Sequence, residues 1–319
     1  MEIRKLQLTG GGTYILSLPK RWVEKYGYKK GDGFTLIEQE NGLFLTSNFN
    51  EKRELKCEVE VSGDIGLEII TRYMYGYNSL QIKGNLTRRL RGEIKKTINL
   101  LVGYEIIDER ENEILIQDLL DPSELSVKSA MKREHFLAST MHRDAIKALC
   151  ERDLELAKDV ILRDLEVDKL YYLVVRQLRT ATMNVSFAER VKVNPLECLD
   201  YRIIAKNIEE IGDAAESIAK SILELSEVSE DIVGEIRGFS EVAHSTHHKA
   251  IQALYRNDVK EAYKIVREKG ILDEMKRKLD QMIFSQNAKS VILLKNISDN
   301  VGTIFQKGID IAYFVIKPQ

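Results

Sequence analysis

Along the first 125 residues apolar and polar side chains alternate in short runs, as in Lys56-Cys57-Glu58-Val59-Glu60-Val61 and Glu113-Ile114-Leu115-Ile116, with glycine and proline between them. A period of two sends successive side chains to opposite faces, so these runs predict strands. Beyond Asp121-Pro122-Ser123 the period lengthens. Ala145, Ala148, Leu149, Leu156, Ala157, Val160 and Ile161 stand three and four apart, as on one face of a helix. No proline occurs between Pro195 and Pro318, which predicts uninterrupted antiparallel helices rather than a sheet.

The helical region repeats itself. Ala145-Ile146-Lys147-Ala148-Leu149 returns 105 residues later as Ala250-Ile251-Gln252-Ala253-Leu254, and in the same register His142 matches His247, Asp153 matches Asp258 and Ala157 matches Ala262. A tandem duplication follows, each copy holding three helices. The first copy places them near 126–152, 154–189 and 196–225, the second near 229–256, 258–287 and 289–316. Residues 126–227 and 228–319 are thus expected as two three-helix bundles.

In residues 1–50, two short strands flank Gly10-Gly11-Gly12, Pro19 opens a short helix ended by Gly27, and a strand over Phe34 to Glu38 turns at Asn41-Gly42 into Leu43-Phe44-Leu45. The glycines lack a downstream GK[ST], and Thr13 to Leu18 continues as a strand, so a turn fits better than a phosphate loop. Residues 51–122 predict a small α/β domain: strand 54–61, helix 65–75, strand 78–83, helix 87–101 and a hairpin across Asp108 to Glu111. Arg88, Arg89, Arg91, Lys95 and Lys96 on its second helix read as a solvated face or as an extension of a nucleic-acid surface.

Composition narrows the class. The 319 residues are 44% apolar and 31% charged, with a net charge of -2, which argues against intrinsic disorder. No apolar run approaches the roughly 18 to 20 residues of a membrane span. The first residues lack a secretory leader, and the cytoplasm is expected. Cys57, Cys150 and Cys198 are odd in number and far apart, so they read as small buried apolar residues rather than a disulfide framework or metal knuckle. Charge is uneven. Residues 1–50 carry 7 Lys or Arg against 5 Asp or Glu, residues 51–125 carry 11 against 15, and residues 126–319 carry 30 of each.

The sharpest chemistry in the helices is two acidic pairs, Asp164 with Asp168 and Glu209 with Asp213. Spacing of four stacks each pair on one helix face. Side by side, the two helices would converge four carboxylates, which either hold a cation or lie open to water. Spacing alone leaves both open. His135, His142, His244, His247 and His248 fall near the starts of the first helix in each copy, and Glu241 with His244 gives one ExxH. A di-iron bundle enzyme needs two such motifs, so helix packing or surface is the simpler reading, with a role in an interface or metal site as the alternative.

The run Arg163-Asp164-Leu-Glu-Val-Asp168-Lys-Leu170, followed by Ile208-Glu209-Glu-Ile-Gly-Asp213-Ala-Ala-Glu-Ser-Ile218-Ala219, resembles the signature helices of PhoU, the phosphate uptake regulator, over about 190 residues including the duplication. The resemblance implies a non-enzymatic regulator built of two three-helix bundles, with divalent or iron-type cations on a bundle surface and Asp164, Asp168, Glu209 and Asp213 as candidate ligands. The second copy departs from this. Lys269 stands for Asp164 if Asp273 stands for Asp168, and Lys295 for Glu209 in Lys295-Asn-Ile-Ser-Asp299. Lysine supplies charge and no lone pair, so one site is expected rather than two.

The head, with its glycine turn, Leu18-Pro19, short helix and Lys30-Gly31-Asp32, resembles the SpoVT/AbrB or MazE-like swapped-hairpin domain. That implies a homodimer in which two chains interlock into a barrel, with Arg4, Lys5, Lys20 and Arg21 as candidate DNA contacts; their plain alternative is surface charge on a dimerisation module. The expected whole is a multidomain chain that regulates phosphate uptake by binding a phosphate transporter or signalling protein at the membrane surface, with DNA bound through the head. The rivals are a transcription regulator without transporter contact and a metal-dependent enzyme using the carboxylates.

Overall fold

The computed structural model describes residues 2–39, 42–47, 54–61, 63–121 and 124–316. The chain divides into two compact units, Met1–Arg53 and Glu54–Gln319. In the first, β1 (Gln7–Thr9) pairs antiparallel with β2 (Thr13–Ile15) across the glycine turn, where Gly11 and Gly12 take φ of 92° and 91°. This is the left-handed region that glycine enters without a steric penalty. α1 (Lys20–Lys25) starts behind Pro19, and β3 (Thr35–Gln39) pairs with β4 (Gly42–Thr46). Asn41 of the expected turn lies outside the described residues, as do Asn50, Pro122, Ser123 and Pro318. Trp22 packs against Tyr28 and Phe34, yet no described residue of this unit is fully buried.

The second unit opens with a four-stranded sheet. β5 (Lys56–Glu60), β6 (Ser79–Lys83), β7 (Tyr104–Arg110) and β8 (Glu113–Asp118) lie in the order β5-β6-β8-β7. β5 and β6 run parallel across α2 (Ile65–Met74), and α3 (Arg88–Ile98) follows β6. Val59, Ile69, Leu80, Ile82, Ile94, Ile114 and Ile116 form the core. The hairpin turn falls later than expected, since β7 continues to Arg110 through an irregularity at Ile106/Asp108. Arg91 fixes it by donating to the carbonyls of Arg110 and Glu111 at 2.7 and 2.6 Å and to Glu109 at 2.7 Å. Lys95 also pairs with Glu109, so two of the five basic residues on α3 serve the fold.

The helices are α4 (Val127–Glu151), α5 (Leu154–Met183), α6 (Val185–Val191), α7 (Pro195–Glu224), α8 (Glu230–Arg256), α9 (Val259–Arg267), α10 (Lys269–Ile283) and α11 (Ala288–Tyr313). Their starts follow local chemistry. Asp153 and Asp258 cap α5 and α9, and Asn194 with Glu197 forms a capping box ahead of Pro195. The turns before Asp153 and Asp258 match, with Arg152 and Asn257 both left-handed. Both middle helices are interrupted, contrary to the spans 154–189 and 258–287. Asn184 is extended and its side chain accepts the Phe187 N–H, which starts α6 afresh. The second breaks at Glu268, two residues before Gly270, where the absent side chain weakens helix.

Burial bears out the duplication. Met131, Ala138, His142 and Ala145 of α4 are buried as are Ile236, Ala243, His247 and Ala250 of α8. In the same sense Ile208, Ile211 and Ala215 of α7 and Leu294, Ile297 and Val301 of α11 form buried faces of one helical period. The bundles join through α4 against α8 and α7 against α11. At Gly308 a side-chain carbon would come within 2.7 Å of the His247 backbone nitrogen, so glycine there permits close approach.

The α/β segment and the helices, expected as separate domains, are held in one unit. Arg176 of α5 is 2% exposed and donates to the carbonyls of Tyr73 and Tyr77 at 2.7 and 2.8 Å and to Asp118 Oδ2 at 2.6 Å. Its guanidinium also lies over the Tyr73 ring. Of the cysteines expected to be buried, only Cys198 is; Cys57 is half-buried and Cys150 exposed.

Candidate functional site

α5 and α7 pack side by side, and Gly212 of α7 lets them approach: a Cβ there would meet Val167 Cγ1 at 3.3 Å and Asp164 Oδ1 at 3.4 Å. The approach brings Asp164 and Asp168 of α5 to face Glu209 and Asp213 of α7. Burial, reinforced by Asp168, Glu216, Asp213 and Glu209, pushes the Asp164 carboxyl up to about 7. Asp168 is pushed up to about 6 by burial and by Asp213. Glu209 rises to about 7 through burial, against the opposing pull of its partner Lys206. Asp213 is raised by burial as well. Carboxyls held this far above their usual range carry a repulsion that a proton or a cation relieves.

A fifth carboxyl belongs to the group and was missed by spacing. Glu134 of α4 is fully buried, both of its oxygens lack a hydrogen-bond partner, and burial with Glu209 and Asp168 raises its pKa well above the ordinary value. Asp164 Oδ1 is likewise buried without a partner. The signal lay in the repeat, where the place of Glu134 in the second copy is held by the buried Phe239. Among the described residues no three His, Cys, Asp or Glu side chains are set to hold one ion as they stand. The donor chemistry nonetheless suits a hard cation: oxygen ligands, excess negative charge and unpartnered buried oxygens.

The second bundle is neutralised where the first is not. Lys295 pairs with Asp280 and Asp299 at 3.1 and 2.6 Å, and Lys276 pairs with Asp299 at 2.8 Å. Burial works against the charge on Asp299, but these two lysines outweigh it and hold the carboxyl below its usual value. With Phe239, Lys269 and Lys295 at the places of Glu134, Asp164 and Glu209, little acid remains.

Residues 131–222 match the family model described as PhoU domain. The first bundle is similar to a PhoU domain. The likeness reaches further in space than that match. The phosphate transport system regulatory protein PhoU from Streptococcus pneumoniae superposes with a TM-score of 0.52 at 16% identity, over 59% of this chain and 91% of that one. PhoU from Pseudomonas aeruginosa gives 0.53 at 18% identity, over 59% and 93%. Both share the fold of the helical body, first and second bundle together. The head, residues 7–48, matches the model for antidote-toxin recognition MazE, bacterial antitoxin. No curated protein matches the chain.

The head's candidate DNA contacts are exposed. Arg4 pairs with Glu2 at 2.6 Å and Lys20 with Glu24 at 3.6 Å, whereas Lys5 and Arg21 form no ion pair among the described residues. The histidines lie within α4 and α8 rather than at their starts. His135 Nε2 meets His247 Nδ1 at 2.9 Å, and His142 Nε2 meets Ser240 Oγ at 2.8 Å. His135, His142 and His247 are buried helix-packing residues between α4 and α8, whereas His248 is exposed. Among the described residues no helix is long and apolar enough to cross a membrane.

Proposed function

We propose that the chain regulates phosphate uptake by binding rather than catalysis, docking through its helical body on a phosphate transporter or its signalling partner at the membrane surface. The observation that carries this reading is the PhoU domain match, on a bundle that keeps its acidic seam. A divalent or iron-type cation held by Asp164, Asp168, Glu209 and Asp213, with Glu134 behind them, would neutralise that seam and stiffen α5 against α7. Co-purification from cells grown with and without phosphate tests the reading. A phosphate transport protein that co-purifies in one condition supports it, and recovery of no such protein in either condition refutes it.

A second activity is favoured by the head. Leu6, Leu8, Tyr14, Leu16, Leu36 and Leu43 are exposed in the single chain, more apolar surface than a small free-standing unit keeps. We infer that a second copy covers them, forming the MazE-like dimer, and that Arg4, Lys5, Lys20 and Arg21 then bind DNA phosphates. Light scattering should give the mass of two chains. Gel shift on the chain's own promoter should weaken steeply with salt, and no shift with any fragment at low salt would remove the DNA role.

A further inference from the structure

Between α4 and α8, away from the acidic seam, an open cavity of about 510 Å³ carries Lys132, Arg143 and Arg256 on its walls. None of the three forms an ion pair among the described residues, although the chain has 50 acidic residues. Within the bundles other cations are matched by close acids, as Arg163 is by Asp144 and Asp159 and Lys295 by Asp280 and Asp299. Three unmatched positive charges around one concavity create a field that concentrates anions. Lys132 is already drawn inward, its Nζ 4.5 Å from the centre of the Tyr255 ring.

Hydrogen-bonding groups line the same wall. His244 Nε2 is 3.0 Å from Ser139 Oγ, and His248 Nε2 is 2.8 Å from Gln252 Nε2. Phe136 leaves 66% of its surface exposed at the rim, an aromatic face on which a flat ligand can stack. The volume falls within the roughly 300–1,000 Å³ of small-molecule sites.

We propose that this cavity binds a small, multiply charged phosphoryl anion of the class of pyrophosphate and the nucleoside diphosphates. Lys132, Arg143 and Arg256 hold the phosphoryl oxygens, and Phe136 packs on the ring of a nucleotide. The site shares no residue with the acidic seam and does not depend on the proposed role in phosphate uptake.

Calorimetric titration of the full chain in divalent-free buffer tests it, with ADP, pyrophosphate and adenosine as probes. ADP or pyrophosphate should bind, adenosine should not, and Lys132→Ala and Arg143→Ala should each weaken binding by about tenfold or more. Arg143→Lys should recover part of the loss, and Asp168→Asn should change nothing. Circular dichroism and melting confirm that each variant is folded. ADP binding tighter than pyrophosphate, with the difference erased by Phe136→Ala, identifies a nucleotide; equal binding identifies the inorganic anion. No heat with either at about 1 mM, adenosine binding as tightly as ADP, or binding indifferent to both alanine variants would overturn the proposal.

Discussion

Replacing Arg176 by methionine should separate the α/β layer from the helices more than any other single change. The guanidinium makes three hydrogen bonds of 2.6 to 2.8 Å and stacks on Tyr73. Its loss takes one of two donors from each carbonyl, since Gly76 N–H still reaches Tyr73 O and Tyr104 O–H still reaches Tyr77 O, and it leaves the Asp118 side chain, 3% exposed, without its counter-ion. Removing one partner of a buried ion pair costs about 3–5 kcal/mol, which for a unit of this size lowers the melting temperature by about 6–20 °C. Burial outweighs Arg176 and keeps the Asp118 carboxyl above its ordinary value, so the pair fixes geometry more than it adds net stability. Arg176→Met with Asp118→Leu should therefore melt above Arg176→Met alone. Thermal unfolding by circular dichroism, with proteolysis reporting release of residues 54–121, is the assay. A loss below about 1 kcal/mol for Arg176→Met, or no recovery in the double variant, would refute the reasoning.

Gly308→Ala should cost about 1–3 kcal/mol through overpacking against the His247 backbone, read as a lower denaturant midpoint with an unchanged slope. His135 and His142 are held down to about 3, chiefly by burial, and His247 well below its usual value. The unfolded chain therefore binds more protons than the folded one below about pH 6.5, and His135 and His142 each remove about 1.4 kcal/mol per pH unit as pH falls from 6.5 toward 3. His142→Phe should lose less stability than the parent between pH 7.5 and 5.5, measured by urea unfolding at each pH. A cation that binds the acidic seam should raise the melting temperature in proportion to the logarithm of its concentration, and chelation should reverse the gain.

Much of the architecture was legible in the sequence because it rests on periodicity. Alternation marked β5 and β8, and the recurrence of Ala145-Ile-Lys-Ala-Leu as Ala250-Ile-Gln-Ala-Leu marked the duplicated bundles. The two acidic pairs were visible because a spacing of four is a property of one helix. Glu134 was not, since it has no acidic neighbour on its own helix and meets the seam only through packing. The Arg176 network was hidden for the same reason, its partners lying about 60 to 100 residues away in sequence. The breaks at Asn184 and Glu268 turn on capping and a nearby glycine, which compete closely with continuing helix.

Cation stoichiometry is the most direct test of the claim that one acidic seam, in the first bundle alone, serves as the binding centre. Metal analysis of the full chain after dialysis against magnesium, zinc or iron should find cation at one seam per chain. That cation should be lost in Asp168→Asn with Asp213→Asn and retained in Asp273→Asn with Asp299→Asn. Cation content unchanged by the first pair of substitutions, or lost with the second, would contradict the account.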